Sequence, residues 1–512
     1  MRNTFVTMLL FWSISLCING QALYSGDAEP YRVEALSMKD CLLRAIKYNL
    51  DIEIEGYNPK LRELDIIIAS SAFDPALTSA VTYGDTKQKL STQSSSTSTT
   101  QSHFEIGMQK KHHLGGTVSL VYGFDFSDAH GSSFPQWGNG LTLRATQPLL
   151  RNLGIETNMT QIRVAQLSLD SSYYGFSQKI LNVLTNVETT YWDLVNAREN
   201  YELQRKSLEL AENLYKITME RIKVGSLAAA EILDAERDMA FKQDALVTAE
   251  RNIYNVEDKL KQLIRPLDIV YYQEVRLIPV ERPVFNQQAI VLDEILQYAM
   301  AHRFDLQQSK LSMQSIGYQV DYQKNQLLPK LDFTASFGLS GNDTSFGKSL
   351  DPVGDFDYPR WQVGLTLEIP FGNRAASSSY QKLLLQREQL LSQHRNLENV
   401  VILEVRQATR DLLTSLRRVE TARRTRELAE KQLANEENKF RAGLIALFQV
   451  QDTEKKLTEA RISEVTAFLD YQRALVALDK VKGALDDILR RYDIVIVNPA
   501  DRHRDTLPAG SK

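Results

Sequence analysis

The 512-residue chain carries 60 Lys and Arg against 64 Asp and Glu, a formal net charge of −4, and 43% of its residues are apolar. With a pI near 6.1 it has no excess of cation for a phosphate backbone, which excludes a nucleic-acid partner. Two cysteines, one in a segment expected to be removed, permit no intrachain disulfide in the mature chain, and the length admits two to four domains.

The amino terminus reads as an export signal. Arg2 precedes an apolar stretch from Phe5 to Cys17 that is too short to span a bilayer and is followed by small residues ending at Ala22. Residues 1–22 are therefore assigned as a signal peptide. Lipidation of Cys17 is the minority alternative, because bulky Leu16 precedes it. No later stretch approaches the ~20 apolar residues of a membrane helix, so the exported chain is either soluble or inserted as a β-barrel.

The rest of the chain is a duplication. Leu42, Ala45, Asp51, Pro75, Leu77 and Gly84 recur as Leu296, Ala299, Asp305, Pro329, Leu331 and Gly338, at a constant offset of 254 residues. A second block, including Asp193-Leu194, Glu209-Leu210-Ala211-Glu212 and Gly225, recurs as Asp411-Leu412, Glu427-Leu428-Ala429-Glu430 and Gly443 at an offset of 218. The fall in offset places a longer middle segment in the first copy. The boundaries that follow are 23–264 for repeat 1, 265–291 for a linking segment, 292–487 for repeat 2 and 488–512 for a tail.

Each repeat opens with helical periodicity, over residues 37–71 and 292–328, that stops before Pro75 or Pro329. Segments of strict alternation follow, and then a very long helical pattern over 155–224 and 375–442. In the first long pattern Val187, Leu194, Tyr201, Leu208, Tyr215 and Ile222 recur every seven residues. In the second the stripe is Val405, Leu412, Val419, Arg426, Leu433 and Phe440, with Arg426 the one break. Seventy residues rising about 1.5 Å each make a rod of roughly 100 Å, longer than any single core, so the rods must pack side by side as a bundle or tube. Gly225 and Gly443 end the rods and open tight hairpins into return helices over 228–263 and 447–485. The Pro-rich and β-branched stretch 265–286 and the scrap 494–497 read as short strands or loops on the bundle.

The alternating segments carry the functional signal. Val118, Leu120, Tyr122, Phe124 and Phe126 interleave with Thr117, Ser119, Gly123 and Asp125, with Val121 the exception. Leu331 to Leu339 and Trp361 to Ile369 alternate in the same way, and shorter versions lie at 77–83, 104–109 and 141–146. Alternating strands with Tyr83, Phe104, Trp137, Trp361 and Phe371 toward their ends suit a transmembrane β-barrel, in which every backbone group pairs within a closed sheet. One chain has too few strands to close a roomy barrel, so several chains must share it. The Ser/Thr/Gln-rich link 88–101 is expected to be a mobile outward-facing loop.

This order of signal, helix, Pro, strands, long helix, Gly tip and return helix, given twice, resembles the TolC-type outer-membrane efflux family over nearly the whole mature chain. Local matches are Gln147-Pro148-Leu149-Leu150 and Ile369-Pro370-Phe371-Gly372 at the strand-to-helix passage. The tips Val224-Gly225-Ser226-Leu227 and Ala442-Gly443-Leu444-Ile445 match as well. The resemblance implies a mixed α and β membrane protein, a homotrimer whose long antiparallel coiled-coil hairpins form a periplasmic α-helical barrel continuous with a β-barrel shared by the trimer in outer-membrane lipid. It implies an exit duct for an inner-membrane transporter of a tripartite efflux or type I secretion system, joined by a periplasmic adaptor (membrane fusion protein) that engages the tips. It also points to Glu231, Asp234, Gln449 and Asp452, just beyond the tips, as the pore entrance. Gln449 stands where an acid is common and Ile445 where a basic gating partner can occur. Three-fold repetition of these carboxylates would select against anions, whereas each taken alone suits the positive end of its helix dipole.

Two strands per half are usual in that family, whereas residues 76–146 show four alternating stretches, with Gly115-Gly116 between the middle pair. The barrel thus has 12 or 18 strands according to whether the middle hairpin is inserted. His112 and His113 are adjacent, poor co-ligands for one metal, and suit a turn beside Lys110-Lys111. There is no Gly-rich phosphate loop, His-Glu-x-x-His, nucleophile elbow or cysteine cluster, so no enzyme, cofactor or metal site is predicted. The rival reading is a periplasmic coiled-coil scaffold or adaptor without a pore, which would share the heptads but not need six alternating strands.

Overall fold

The computed structural model describes residues 32–89, 96–129, 135–225, 228, 230–265, 268–281 and 290–495. The predicted signal peptide with Cys17, tip residues Ser226 and Leu227, and the end of the tail lie outside the described residues.

The chain begins with strand β1 (Arg32–Leu36) and helix α1 (Met38–Tyr48). Ser37 caps α1 through a reciprocal pair: its hydroxyl accepts from the Asp40 N–H, and the Asp40 carboxylate accepts from the Ser37 N–H. Asn49 then leaves the helical conformation and caps α2 (Leu50–Ser70), accepting from the Asp51 and Ile52 N–H groups. The single helix expected over 37–71 is therefore two, because Asn49 offers its side chain to the backbone inside the periodic pattern. Repeat 2 breaks at the matching place. There Arg303, extended and bonded to Asp305 and Glu404, separates α7 (Leu292–His302) from α8 (Phe304–Asn325).

Strands β2 (Ala76–Lys89), β3 (Ser96–Lys111), β4 (Thr117–Ala129) and β5 (Gln136–Pro148) follow α2. Strands β7 (Lys330–Asp343) and β8 (Pro359–Glu368) follow α8, with helix α9 (Phe346–Gly354) between them. All six form one antiparallel sheet in the order β2-β3-β4-β5-β7-β8. The middle hairpin, β3 and β4, is thus part of the same sheet as the outer strands. The loop expected over 88–101 is corrected at its two ends, residues 90–95 lying outside the described residues: Gln88 and Lys89 pair with Thr97 and Ser96, and the ladder continues to Gln101 opposite Gly84. Backbone pairing needs no apolar side chain, and Ser98 supports it by donating to Asp85 at 2.9 Å.

The long helices are α3 and α4 (Ile155–Asn158 and Thr160–Lys223, interrupted at Met159) and α10 (Arg374–Arg441). Their return helices are α5 (Glu231–Ile264) and α11 (Leu447–Lys482). Left-handed Gly483 ends α11 before α12 (Leu485–Arg491). Helix α4, with 64 residues, is roughly 96 Å long at about 1.5 Å per residue. Val187 and Leu194 are buried as the heptads require, as are Val405, Leu412, Val419, Leu433 and Phe440. Beyond Tyr201, however, the buried line of α4 moves to Ser207, Ala211, Leu214 and Thr218, leaving Leu208, Tyr215 and Ile222 half-buried. The cause is that α4 packs against both α5 and α11 there, so no single seven-residue stripe can serve both neighbours.

Near the sheet, α2, α4, α8 and α10 lie side by side in that order; toward the tips the order is α5, α4, α11, α10. Between these zones helix α6 (Ile269–Glu274) leads into strand β6 (Val275–Pro279), which pairs in parallel with β1. This girdle holds the largest core, including Leu36, Leu42, Leu184, Tyr191, Leu260 and Leu277. Lys261 and Glu257 are ion-paired and fully buried in it. The ammonium donates to the carbonyls of Tyr272 and Val275, and Glu257 accepts from the Leu277 N–H at 3.0 Å. Backbone groups thus support the ammonium and one carboxylate oxygen, while Glu257 Oε2 is buried without a hydrogen-bond partner among the described residues.

Candidate channel wall and entrance

The sheet register sorts side chains by phase. Leu77, Met108, Leu120, Leu143, Phe337 and Trp361 stand in one row across all six strands. The next row, on the opposite face, is Thr78, Gly107, Val121, Thr142, Gly338 and Arg360. One face of the whole sheet is thus apolar and the other small and polar, because each strand has period two and each pairing is in phase. The apolar face is open in a single chain: Leu77 is 73% exposed, Trp361 72% and Leu365 66%. On the polar face His103 is bonded to Asp125 at 2.5 Å and lies 3.5 Å from Glu105.

Tyr83, Phe104 and Trp361 share the apolar phase, and Phe371 is fully exposed beyond β8. Trp137 has a different environment. It packs edge-on against Phe346 of α9, 5.5 Å away, and against Phe126, so it is an anchor for α9 more than a free interfacial ring. Helix α9, absent from the sequence reading, lies on the apolar face over β5 and β7. It covers Asn139, which has the apolar phase yet is buried. Asn139 accepts from the Tyr122 hydroxyl at 2.7 Å and donates to the Ser349 hydroxyl at 2.6 Å. An asparagine out of phase between Trp137 and Leu141 was the available signal that something polar must cover that spot.

At the far end, Gly225 (φ 73) and Gly443 (φ 74) turn the two hairpins in the left-handed conformation. After α10 the N–H of Gly443 bonds to Phe440 O and that of Leu444 to Lys439 O, a Schellman arrangement that uses the terminal carbonyls. Val224 and Leu444 are about three-quarters exposed, Ala442 is exposed, and Ile445 packs against the core of the tips. That core joins both hairpins through Leu214, Ala235, Leu433, Phe440, Leu447 and Val450. Arg221, unmarked in the sequence reading, fastens it. Its guanidinium lies 4.5 Å over the Phe440 ring and donates to the carbonyls of Phe440 and Arg441, both at 3.1 Å. A cation in the last turn of α4 thus caps the negative end of α10. Its signal in sequence was only a basic last turn.

Glu231 and Asp234 occupy the first turn of α5; Gln449 and Asp452 lie in the opening turns of α11. Asp234 faces Arg237 at 3.2 Å and Asp452 faces Lys456 at 2.6 Å, so each carboxylate already has a local cation, while Gln449 is exposed. Asp452 also lines a cleft of about 560 Å³ between α5 and α11, flanked by the exposed rings of Phe241 and Phe448. In that cleft burial pushes the Asp238 carboxyl above its ordinary range, against the pull of Lys242 and aided by Glu454. Lys242 in turn bonds Glu454 at 2.7 Å, and Glu454 accepts from Ser207 at 2.6 Å.

A family profile described as outer membrane efflux protein matches residues 60–264 and 295–484. The outer membrane protein TolC of Escherichia coli is 24% identical over 401 residues, 76% of each chain. The pyoverdine export outer membrane protein OpmQ of Pseudomonas aeruginosa is 22% identical over 329 residues, 63% of this chain and 65% of its own. Among solved structures, the Campylobacter jejuni CmeC outer membrane channel superposes with a TM-score of 0.64 at 16% identity, covering 89% of both chains.

Proposed function

From the premise that the chain belongs to the outer membrane efflux protein family, we infer that it is the outer-membrane exit duct of a tripartite efflux or type I secretion system, a conduit and not an enzyme. The observation that carries this is the six-stranded sheet with one continuous apolar face and two unpaired edges, β2 and β8. Such a sheet cannot stay open, since its edges leave backbone groups unpaired and its apolar face needs lipid. Six is even, so β8 of one copy meets β2 of the next in antiparallel sense. Three copies supply 18 strands, a number that leaves an aqueous lumen.

The helical flanks support the same closure. Helix α2 exposes Ile54, Leu61, Leu64, Ile67 and Ile68, and α5 exposes Leu233, Phe241 and Val247. Both border the open sides of the protomer, where α10 of the next copy would lie. In the trimer the tips 224–227 and 442–445 face the periplasmic adaptor and, beyond it, the inner-membrane transporter. Glu231, Asp234 and Asp452, repeated three times around the axis, form the entrance, and Arg221 positions one tip against the other.

Purified protein is expected to run as a heat-modifiable, detergent-requiring trimer with cation-preferring conductance in planar bilayers. Neutralising Glu231, Asp234 and Asp452 together should remove the preference. A detergent-free soluble monomer would instead favour a pore-free scaffold and overturn the reading.

A further inference from the structure

The turn between β3 and β4 lies at the helical end of the sheet and is tied to the passage from β5 into α4. Gly154 N–H donates to Leu114 O at 3.2 Å, and Gln147 donates to the same carbonyl at 3.3 Å. Gly115 (φ 95) permits this contact, since a Cβ there would stand 2.2 Å from Asn152 O. The His113 ring packs on Phe73, 4.4 Å between centroids, and Lys111 lies 5.7 Å over the Phe73 ring, so the turn is also fixed against the short helical turn 71–73 that follows α2.

What this fixed turn presents is both apolar and basic. Leu114, Leu149, Leu150, Leu153 and Ile155 are 37–51% exposed although they belong to no strand edge and to neither open flank of the protomer. Lys110 pairs with Val118 and continues the phase of Phe104 and Met108, so it leaves the sheet on the apolar side where the apolar band ends. Residues 106–124 and 140–155 contain no Asp or Glu, yet they include Lys110, Lys111, His112, His113, Arg144 and Arg151. Lys110 and Arg151 have no carboxylate within ion-pair distance among the described residues. An exposed apolar collar continuous with a lipid-facing band, edged by unneutralised cations, fits the level where acyl chains meet anionic headgroups.

We propose that this collar is a binding surface for anionic phospholipid of the periplasmic leaflet, with Lys110 and Arg151 meeting the headgroup phosphates and the leucines entering the acyl boundary. The proposal rests on the reading of the apolar face as lipid-facing. It gives the middle hairpin a second task besides widening the wall.

The test uses the full-length trimer, delipidated and then offered vesicles of phosphatidylethanolamine with or without one-fifth phosphatidylglycerol, with retained lipid counted by native mass spectrometry. The wild type should retain phosphatidylglycerol at least fivefold in excess over its share of the vesicle. The Lys110→Gln/Arg151→Gln variant, checked to remain a heat-modifiable trimer, should fall below twofold, and Lys110→Arg should keep the preference. Equal retention of both lipids by the wild type, or an unchanged preference in the double variant, overturns the collar while leaving the barrel intact. Failure of the wild type to enter vesicles at all would overturn the barrel reading itself.

Discussion

The two repeats share a helical plan and differ in what they insert between their strands. Helices α1 and α7 each have 11 residues, and β2 and β7 each have 14. Repeat 1 then adds the β3–β4 hairpin, whereas repeat 2 adds α9. The hairpin lengthens the wall and the helix does not. With strands about 4.8 Å apart and tilted about 40°, 18 strands close a barrel roughly 36 Å across, against roughly 24 Å for 12. A ring of twelve helices spaced about 10 Å apart is roughly 38 Å across. In the proposed trimer the extra hairpin would therefore let sheet and helices meet at nearly equal girth. Helix α9 lies on the apolar face of the sheet and covers a polar spot there, Asn139.

The largest expected effect follows from this contrast. Joining β2 directly to β5 and so removing the hairpin should give trimers with a barrel narrowed by about a third, measurable by electron microscopy. Replacing α9 with a short polar loop should leave the diameter unchanged but expose Asn139 and lower the temperature at which the trimer dissociates. A narrowed barrel in the second variant, or an unaltered one in the first, would break the comparison.

Next come Arg221 and its counterpart in repeat 2, Lys439. Arg221 reaches across to the other hairpin, while Lys439 only pairs with Glu436 one turn away on its own helix. Arg221→Ala, by freeing one tip from the other, should raise the conductance of the reconstituted channel several-fold. Lys439→Ala should leave it near the wild-type level in the same bilayer recordings.

Glu188 and its counterpart Arg406 differ in burial as well as charge. Arg406 is exposed, whereas Glu188 is fully buried beside Arg491 and the Tyr492 hydroxyl. Burial raises its carboxyl from 4.5 to about 7, Arg491 pulling the other way. The folded state thus keeps a proton that the unfolded chain gives up. The resulting stability is complete below about pH 4.5 and is lost as pH rises through 7. Glu188→Gln should therefore match the wild type at pH 4 and melt higher at pH 8, by up to roughly 3 kcal/mol per protomer. Melting curves at both pH values check this, and Arg406→Gln should show no such divergence.

The smallest effect concerns Arg426, the break in the stripe, which faces Leu208 in the repeat alignment. It is partly exposed and pairs with Glu430 at 2.9 Å and Glu464 at 2.7 Å, and Arg461 also meets Glu430. Arg426→Leu restores the heptad but strips Glu464 of its cation, and partly solvated networks of this kind contribute about 1 kcal/mol or less. The melting temperature should move by no more than a few degrees.

Much of this was legible in the residues. The six alternating segments became six strands, the Gly tips became hairpins, and the offsets of 254 and 218 became equivalent elements, because periodicity and glycine chemistry act locally. What misled were places where a side chain answers the backbone within a pattern, as Asn49 does between α1 and α2, or where pairing proceeds without apolar residues, as in Ser96–Gln101. Arg221 and α9 carried almost no local signal, since each matters through what it touches on a distant segment.

By itself, then, the sequence determined which residues face which way on each strand and helix, and that those faces come in two matching sets. Only the tertiary structure decided that the middle hairpin joins the same sheet, that α9 covers Asn139 and that one helix end clasps the other. The physical reason is that side-chain phase is set by the backbone repeat within one element. Strand order and helix-end contacts are set instead by competition among elements far apart in the chain for the same buried surface.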